Sequence, residues 1–375
     1  MRLAFIDTYP AAYDPSTVYS RALGGMQSAV CYLTAELANL GHEVLLLNNI
    51  TEMEKSLGVL CCPLPKSKDV ITNISSKFKP HIIIGVMGAE IANSFRSHCL
   101  IDSKWVLWTG HSCDQPSSAA LKENSIRNKW DAFAFVGTWQ MERYLDVFDL
   151  NANCCINLGH GFSKAFENLF SKETKILTAK SDPPTLAYTS APYMGLHLLI
   201  YAFPKIKAAI PNVKLKVFSD MTRYDQPEFD ELKQIFEFAE SIEGIELCGS
   251  IPQAQLALEL RAASLFAYPN SFPETHCIAL REGLAAGCLA VTTDLGALPE
   301  TSGGYAVLIP NHKDSNDYIE AFSEKTISEL RRIKEHPESV EQQLRSQLDW
   351  LHAHHTWAHN AKGWESWLEQ LTLGK

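Results

Sequence analysis

The chain has 375 residues, enough for two domains with sizeable cores. With 46% hydrophobic and 20% charged residues its composition is ordinary for a globular protein, and no apolar run approaches the ~20 residues of a membrane-spanning helix. The formal net charge of −10 argues against nucleic acid as the main partner, because surfaces that bind nucleic acid are basic.

The amino-terminal residues 1–7 form an apolar stretch too brief for a signal peptide and are predicted to be a strand. The ten cysteines include no C-x-x-C pair, and most of them lie in apolar runs. We interpret them as reduced core residues of a cytosolic protein. The expected location is therefore cytoplasmic, and peripheral contact with the inner face of a membrane stays open.

The first half of the chain alternates short apolar runs with amphipathic stretches, a pattern typical of a parallel sheet wound with helices. Residues 26–40 are predicted to form a helix that ends at Gly41. The polar stretch 163–184, with several lysines, is interpreted as a linker. Buried strands are predicted for 3–6, 44–47, 82–86, 105–108 and 132–136.

The second half repeats this alternation, and a helical tail over 357–368 carries several aromatic residues for packing. Two Rossmann-like α/β domains facing a central cleft follow from this order. Strands are predicted for 186–188, 214–218, 245–248, 265–268, 289–292 and 306–309. Helices are predicted for 196–209, 228–241, 252–263 and 278–286.

The stretch 271–283 is the most informative, because it places two glutamates eight residues apart around a predicted helix start. If the run is helical, the carboxylates of Glu274 and Glu282 lie about 12 Å apart, roughly the span from a sugar across a diphosphate to a ribose. The N–H groups and positive dipole end of the helix suit a diphosphate. Two glutamates can flank a surface helix by chance, but the end of a parallel strand is where open α/β sheets bind ligands.

The setting Tyr-Pro-Asn-Ser-Phe-Pro-Glu-Thr, followed by Glu-Gly-Leu-Ala-Ala-Gly, resembles the donor-site signature of family 4 of the retaining glycosyltransferases. The resemblance implies the GT-B fold, with an acceptor-side domain over 1–165, a donor domain over 175–350 and a helix at about 355–375 crossing back to the first domain. It implies that Glu274 contacts the donor sugar and that Glu282 binds the ribose hydroxyls. It also places a set of backbone amides near the sugar and phosphates: those of Thr275, His276, Cys277 and Ile278.

Three further loops carry weaker signals. Gly24-Gly25 lies between the first strand and its helix, where glycines let a backbone approach a ligand. The resemblance places this loop near the diphosphate and acceptor and makes His111 a residue that meets the donor sugar. Asp114 is a weaker candidate, for contact with the acceptor. It also implies that the turn at Gly249 holds the nucleotide base. An ordinary flexible turn and a structural histidine are the simpler alternatives for these positions.

Two residues depart from the family pattern. Family members carry an arginine and a lysine that neutralise the donor diphosphate, and Ser190 and Met194 stand at the corresponding positions of this chain. Ser190 can donate a hydrogen bond to the diphosphate, whereas Met194 cannot. Losing both cations could cost several kcal/mol of transition-state stabilisation. The helix start at Thr275, or a cation such as Arg223 or Arg281, is expected to compensate.

Two other groups of residues invite weaker interpretations. The lysines at 66, 68, 77 and 79 can meet an anionic surface, although a solvated face explains them as well. The segment His352-Ala353-His354-His355 suggests zinc, but no spaced carboxylate or cysteine supports a metal site there.

We expect the chain to move a sugar from a UDP- or GDP-linked donor to a hydroxyl of a glycan, lipid-linked or small-molecule acceptor. Retention of configuration is implied by the resemblance. The donor is a substrate, so no cofactor is expected, and the sequence contains no D-x-D, the usual metal–diphosphate ligand of other glycosyltransferases, which predicts no obligatory divalent ion. A non-catalytic nucleotide-sugar binder or partner subunit, and a sugar-nucleotide epimerase, stay open, as does the oligomeric state.

Overall fold

The computed structural model describes residues 1–99, 102–220, 230–312 and 314–373. The chain divides into two compact units. Unit 1 comprises Met1–Gly161 and Trp357–Lys375, and unit 2 comprises Phe162–Thr356. In the described part of the chain no helix combines the length and the apolar character needed to cross a bilayer.

Unit 1 is built on an eight-stranded sheet in the order β3-β4-β2-β1-β5-β6-β7-β8, parallel except for the β3–β4 pair. Its strands are β1 (Arg2–Asp7), β2 (Glu43–Asn48), β3 (Glu54–Ser56), β4 (Val59–Pro63), β5 (Ile82–Val86), β6 (Lys104–Thr109), β7 (Ala132–Phe135) and β8 (Cys155–Asn157). Its helices are α1 (Gly25–Asn39), α2 (Lys68–Phe78), α3 (Ile91–Phe95), α4 (Asn124–Arg127), α5 (Thr138–Phe148) and the carboxy-terminal α13 (Trp357–Thr372). The central strands are apolar on both faces because helices cover both.

Unit 2 is built on a six-stranded sheet with parallel pairing throughout, in the order β11-β10-β9-β12-β13-β14. Its strands are β9 (Thr185–Tyr188), β10 (Lys214–Val217), β11 (Ile245–Leu247), β12 (Leu265–Tyr268), β13 (Leu289–Thr293) and β14 (Ala306–Ile309). Its helices are α6 (Leu196–Ala209), α7 (Asp230–Glu240), α8 (Gln253–Ala262), α9 (Ile278–Ala285), α10 (Leu298–Ser302), α11 (Ser315–Glu335) and α12 (Pro337–His354). The α/β fold class with two Rossmann-like parallel-sheet domains is confirmed.

The last helix, α13, belongs to unit 1, as the resemblance predicted for the carboxy terminus. The indole of Trp364 packs edge-on against that of Trp108, with ring centroids 5.1 Å apart, and Trp357 stacks on Tyr32 of α1 at 5.8 Å. Asn360 Nδ2 donates a hydrogen bond of 2.6 Å to the carbonyl oxygen of Leu158. Buried aromatic packing therefore holds the tail on the first unit, although unit 2 precedes it in the sequence.

The polar stretch 163–184 differs from the linker expected there, because it forms part of unit 2. Phe166 and Ile176 are fully buried in the core of that unit. The carboxylate of Glu341 on α12 accepts bonds from the backbone N–H groups of Ile176 and Leu177, at 2.7 and 2.9 Å. Unit 2 therefore begins at Phe162 rather than near 175. The composition of the stretch did not predict this, because its many lysines outweigh the two buried apolar side chains that anchor it.

The sequence patterns missed the short strands β3, β4 and β8 and seven helices: α2, α3, α4, α5, α10, α11 and α12. The predicted helix over 228–241 corresponds to α7, which the structure describes from Asp230. Residues 228 and 229 lie outside the described residues.

Candidate active site

Glu274 lies in the loop that joins the carboxyl end of β12 to α9. Asn270 is fully buried and organises this loop: its Oδ1 accepts from the Phe272 N–H at 2.9 Å, and its carbonyl oxygen accepts from Thr293 Oγ1 at 3.0 Å. The segment is therefore tied to the end of β13, which is how an irregular buried backbone satisfies its polar groups.

The turn after β13 holds the backbone of Glu274. The Ala297 N–H donates to the Glu274 carbonyl oxygen at 2.8 Å. Gly296 has a φ of +61°, and a Cβ at this position would lie 2.3 Å from the same carbonyl oxygen. Only a residue without a side chain allows both the left-handed backbone and the close approach.

The carboxylate of Glu274 is buried and hydrogen-bonded. The Tyr268 hydroxyl donates to Glu274 Oε1 at 2.5 Å. Burial raises the pKa of the Glu274 carboxyl to about 7, and hydrogen bonds from Tyr268 and from the Cys277 thiol oppose the rise. Within the described residues this carboxylate forms no ion pair, so its charge depends on these neutral donors alone.

Glu282 lies inside α9 and is 3% exposed. Gln253 Nε2, at the start of α8, is 3.5 Å from Glu282 Oε2, a long contact. Burial raises the pKa of Glu282 to about 7, against the hydrogen bonds of the Gln253 side chain and the Ser163 backbone. The Oε1 atoms of Glu282 and Gln253 are both buried, and neither has a hydrogen-bond partner in the described part of the chain. Two buried acceptors without donors, on side chains that contact each other, suit a ligand that brings hydroxyl groups.

The segment between the two glutamates forms the start of α9. Cys277 is its N-cap residue, and Cys277 Sγ accepts from the Leu280 N–H at 3.4 Å. Thr275 and His276 precede it in a half-buried position, and Ile278 is the first helical residue. This part of the fold matches the predicted helix start, whose first N–H groups lack partners within the helix.

The loop after β9 carries Ser190 and Met194, and it contacts the loop of Glu274. A Cβ at Gly195 would lie 2.0 Å from the Pro269 carbonyl oxygen, so the two loops touch at their backbones. Met194 packs against the hydrophobic core of unit 2. Ser190 thus lies in a loop that touches the β12–α9 loop through Gly195, whereas Met194 is a packing residue.

Of the two arginines named as substitutes for the missing cations, Arg281 is buried on α9. Burial lowers the pKa of its guanidinium to about 10, and the attraction of Glu300 opposes the fall, so the side chain stays charged at neutral pH. Arg223 lies outside the described residues.

The predicted base-holding turn at Gly249 follows β11. Gly249 has a φ of +64°, and the Ser250 N–H donates to Asp220 Oδ2 at 3.0 Å. Gln253, which comes four residues after Gly249, touches Glu282. The structure therefore links the turn proposed for the base to the carboxylate proposed for the ribose.

In unit 1 the first loop and the His111 loop lie together. Gly24 is the N-cap of α1, whose first residue is Gly25, and a Cβ at Gly110 would lie 2.7 Å from Met26 Sδ. The His111 carbonyl oxygen accepts from Gln140 Nε2 at 2.7 Å and from the Tyr144 hydroxyl at 3.1 Å. These bonds anchor the histidine at the end of β6.

The His111 side chain is half-buried, and its Nδ1 is bonded to the Ser117 hydroxyl. Burial lowers the pKa of His111, which favours the neutral imidazole. Asp114 is exposed in the turn that follows. Among the described residues no three His, Cys, Asp or Glu side chains are grouped to hold a metal ion.

Four residues that position the site were not found from the sequence: Tyr268, Gln253, Gly195 and Gly296. Tyr268 is the last residue of an apolar strand and looks like a core residue. Gly195 and Gly296 stand among many loop glycines, and only the contact with a second loop distinguishes them. No local pattern marks Gln253, because its partner is 29 residues away.

This architecture is the GT-B fold of glycosyltransferases. The crystal structure of a glycosyltransferase from Rickettsia africae is similar over 100% of this chain and 99% of its own, with a TM-score of 0.75 and 15% identity. A sucrose-phosphate synthase from Thermosynechococcus elongatus has a TM-score of 0.74 at 17% identity, with full coverage of both chains at 100%. HepE from Anabaena, in complex with UDP and glucose, has a TM-score of 0.72 at 12% identity, covering 99% of this chain and 100% of its own. Such low identities establish the fold alone.

Residues 171–339, which lie in unit 2, match the family model of the glycosyl transferases group 1. A stretch of 156 residues, 42% of this chain, is 28% identical to a phosphatidylinositol N-acetylglucosaminyltransferase subunit from Arabidopsis thaliana. That stretch spans a third (33%) of the relative's own length. The matched part of unit 2 contains Glu274 and Glu282, so the glycosyltransferase resemblance is supported at the level of the superfamily. Membership of family 4 and the roles of the site residues stay predictions.

Proposed function

We propose that the protein is a retaining glycosyltransferase that transfers a sugar from a UDP- or GDP-sugar to a hydroxyl of a glycan, lipid-linked or small-molecule acceptor. The observation that carries the proposal is the pair of buried carboxylates, Glu274 and Glu282, on either side of the start of α9. Both lie within the stretch that matches the group 1 family model. Buried carboxylates without ion pairs destabilise a fold unless a ligand uses them, which favours a binding role.

In the proposed complex, Glu274 orients the donor sugar through its hydroxyl groups. Glu282 accepts hydrogen bonds from the ribose hydroxyls, for which its Oε1 has no competing donor among the described residues. The amides at Thr275–Ile278 and the dipole of α9 face the diphosphate. Ser190 adds a hydrogen bond, and Gly249 holds the base.

The proposed chemistry follows the resemblance. The acceptor hydroxyl attacks the anomeric carbon on the face that the diphosphate leaves, and the departing phosphate oxygen takes the acceptor proton. The protein contributes positioning and electrostatic stabilisation of the leaving group. His111, Gly24 and Gly25 of unit 1 complete the proposed machinery, with Asp114 as a weak acceptor contact. No obligatory divalent ion is proposed, because the helix start supplies positive potential to the diphosphate.

The direct test is a panel of UDP- and GDP-sugars assayed for nucleotide release, with and without candidate acceptors. We expect one donor to be turned over, with turnover abolished in Glu274→Ala and preserved in Glu324→Ala, which replaces an exposed glutamate of α11 in the same unit. Interconversion of the donor into an isomer without nucleotide release would point to an epimerase instead.

A second candidate is a non-catalytic protein that binds a nucleotide-sugar and serves as a partner in a larger enzyme. The observation that favours it is Met194, which packs into the core at a position where the resembled family carries a cation. The similar Arabidopsis protein is itself one subunit of a transferase by name. Calorimetry that finds tight donor binding, together with no turnover for any acceptor, would support this candidate. A Met194→Lys variant that gains turnover would show that the cation is what the chain lacks.

Peripheral membrane contact at a cytoplasmic surface is proposed on one observation in unit 1. The lysines at 66, 68, 77 and 79 are exposed on and beside α2, although the whole chain carries a net charge of −10. Anionic lipids attract such clusters at about 1 kcal/mol per lysine. Co-sedimentation with anionic but not neutral vesicles, lost on replacing the four lysines with glutamine, is the expected result. Equal recovery with both vesicle types would refute membrane contact.

A further inference from the structure

Tyr268 occupies a constrained position at the carboxyl end of β12. Its side chain is fully buried, and its ring packs against those of Tyr188 on β9 and Phe266 on β12, each with centroids 5.9 Å away. The ring has no room to change rotamer in a close-packed core. The direction of its hydroxyl is therefore set by the sheet and not by the loop that carries Glu274.

That hydroxyl is 2.5 Å from Glu274 Oε1, the short distance typical of a bond to a charged acceptor. The loop side supplies only the Cys277 thiol as a second donor. In the described part of the chain no cation pairs with Glu274. A strand residue thus fixes the carboxylate of a loop residue.

We propose that Tyr268 is a positioning residue for Glu274: its hydroxyl holds Oε1 in place and favours the ionised carboxylate, as a hydrogen-bond acceptor for the donor sugar. The use of this carboxylate by a donor sugar rests on the proposed function. The hold on the carboxylate does not, and it can be measured on the protein without a donor.

The sign of the effect follows from the groups that act on Glu274. Burial raises the pKa of Glu274 to about 7, and the hydroxyl of Tyr268 and the thiol of Cys277 both lower it. Burial and the Glu274 charge raise the pKa of Tyr268 well above 10, and burial likewise raises the pKa of Cys277 well above 9, so both remain protonated donors at neutral pH. Removing the Tyr268 hydroxyl must therefore move the Glu274 titration to higher pH.

The experiment is a pH titration of the Glu274 carboxyl carbon by NMR, in protein labelled with 13Cδ-glutamate and assigned by the signal missing in Glu274→Gln. In Tyr268→Phe we expect the midpoint to rise by on the order of one pH unit. Tyr188→Phe is the matched control: it removes a neighbouring hydroxyl that donates to the Ala191 carbonyl at 2.7 Å, and it should leave the midpoint unchanged. A Tyr268→Phe midpoint equal to that of the wild type would overturn the proposal.

A second substitution covers the case in which Tyr268→Phe does not fold. 3-Fluorotyrosine incorporated at position 268 keeps the shape of the ring and donates a stronger hydrogen bond. It should lower the Glu274 midpoint, and an unchanged or raised midpoint would contradict the inference.

Kinetics then separate this inference from the proposed function. With the donor found in the panel, Tyr268→Phe should lower kcat/KM on the order of tenfold at pH 8 and move the acid limb of the pH profile to higher pH. A loss with an unmoved limb would overturn the positioning role. Full turnover in Glu274→Gln would refute the proposed use of Glu274 in the reaction. It would not affect the conclusion, drawn from the NMR titration, that Tyr268 positions Glu274.

Discussion

Glu274 and Glu282 carry the same side chain at nearly the same burial, yet their surroundings differ. Burial raises the pKa of each carboxyl to about 7. Glu274 receives a 2.5 Å bond from Tyr268, whereas the side-chain contact of Glu282 with Gln253 is long, 3.5 Å, beside a backbone bond from Ser163, and its Oε1 has no partner among the described residues. One carboxylate is oriented by a short hydrogen bond from the protein, and the other has an oxygen without a hydrogen-bond partner in the part of the chain that the structure describes. Under the proposed function, this difference suits Glu274 to orient the reacting sugar and Glu282 to bind the donor.

The largest expected effect comes from removing each charge in turn. Glu274→Gln should lower kcat on the order of 10²–10³-fold, because a fixed group at the reacting sugar acts in the transition state. Glu282→Gln should instead raise the donor KM about tenfold or more, since it removes a charged acceptor from binding. Steady-state kinetics with the donor from the panel measures both. Equal losses in the same parameter would remove the distinction between the two sites.

The next largest effect is expected from disturbing the turn at Gly296, which supports the backbone of Glu274. Gly296→Ala places a Cβ 2.3 Å from the Glu274 carbonyl oxygen and should destabilise the protein by about 1–3 kcal/mol while lowering turnover. Gly304→Ala is the control, because Gly304 also has a positive φ, +85°, but has nothing within 4 Å of the added methyl group. Denaturant unfolding and initial rates compare the two. Similar losses of activity in both variants would mean that backbone strain from the positive φ is responsible, and not displacement of the loop that carries Glu274.

The raised pKa values predict a pH dependence of stability that both sites share. Each folded-state pKa, about 7, exceeds the ordinary value of 4.5, so the native state binds the proton more tightly and stability falls as pH rises through 7. The linkage is worth about 3 kcal/mol per group at most. Glu274→Gln and Glu282→Gln should therefore have a higher Tm than the wild type at pH 8 and no advantage at pH 4.

Thermal unfolding at the two pH values, without donor, measures this effect. Saturating donor should abolish the advantage of Glu282→Gln at pH 8, since bound hydroxyls would stabilise the wild-type carboxylate. An advantage that is the same at both pH values would show that ionisation is not its cause.

The smallest expected effect is that of Gln253. Gln253→Ala removes a 3.5 Å contact, so the donor KM should change less than about threefold, while the pKa of Glu282 should rise because a bond that lowers it is lost. Gln255→Ala, two residues along α8 and exposed, is the control. The pH dependence of donor affinity distinguishes the two variants. A tenfold change in KM would make Gln253 as important as Glu282.

Much of the secondary structure of unit 2 was predictable, because local residue patterns indicate its strands and helices. The helix predicted for 196–209 matches α6, and the strand predicted for 265–268 matches β12. Short buried strands in a parallel sheet are nearly continuous apolar runs, which a single sequence reveals. The prediction of a linker over 163–184 was wrong for the opposite reason. Two buried side chains, Phe166 and Ile176, anchor this segment in unit 2, and the many polar residues around them gave no local sign of it.

The candidate site also has one part that the local sequence predicted and another part that it did not. The spacing of Glu274 and Glu282 around a helix start is a local property, and the structure does form α9 between them from Ile278. The partners of the two carboxylates come from other elements, since Tyr268 ends a strand and Gln253 begins a different helix. Propensity and spacing carry no information about such contacts.

By itself, then, the sequence of this chain determined two α/β domains and a pair of carboxylates bracketing a helix start, because strand runs, helix periodicity and residue spacing are written along the backbone. Tertiary structure alone decided three things: which carboxylate receives a short hydrogen bond, which has an oxygen without a partner among the described residues, and that Met194 is a packing residue. Burial and hydrogen-bond partnership depend on contacts between segments distant in sequence, and those contacts exist only in the folded protein.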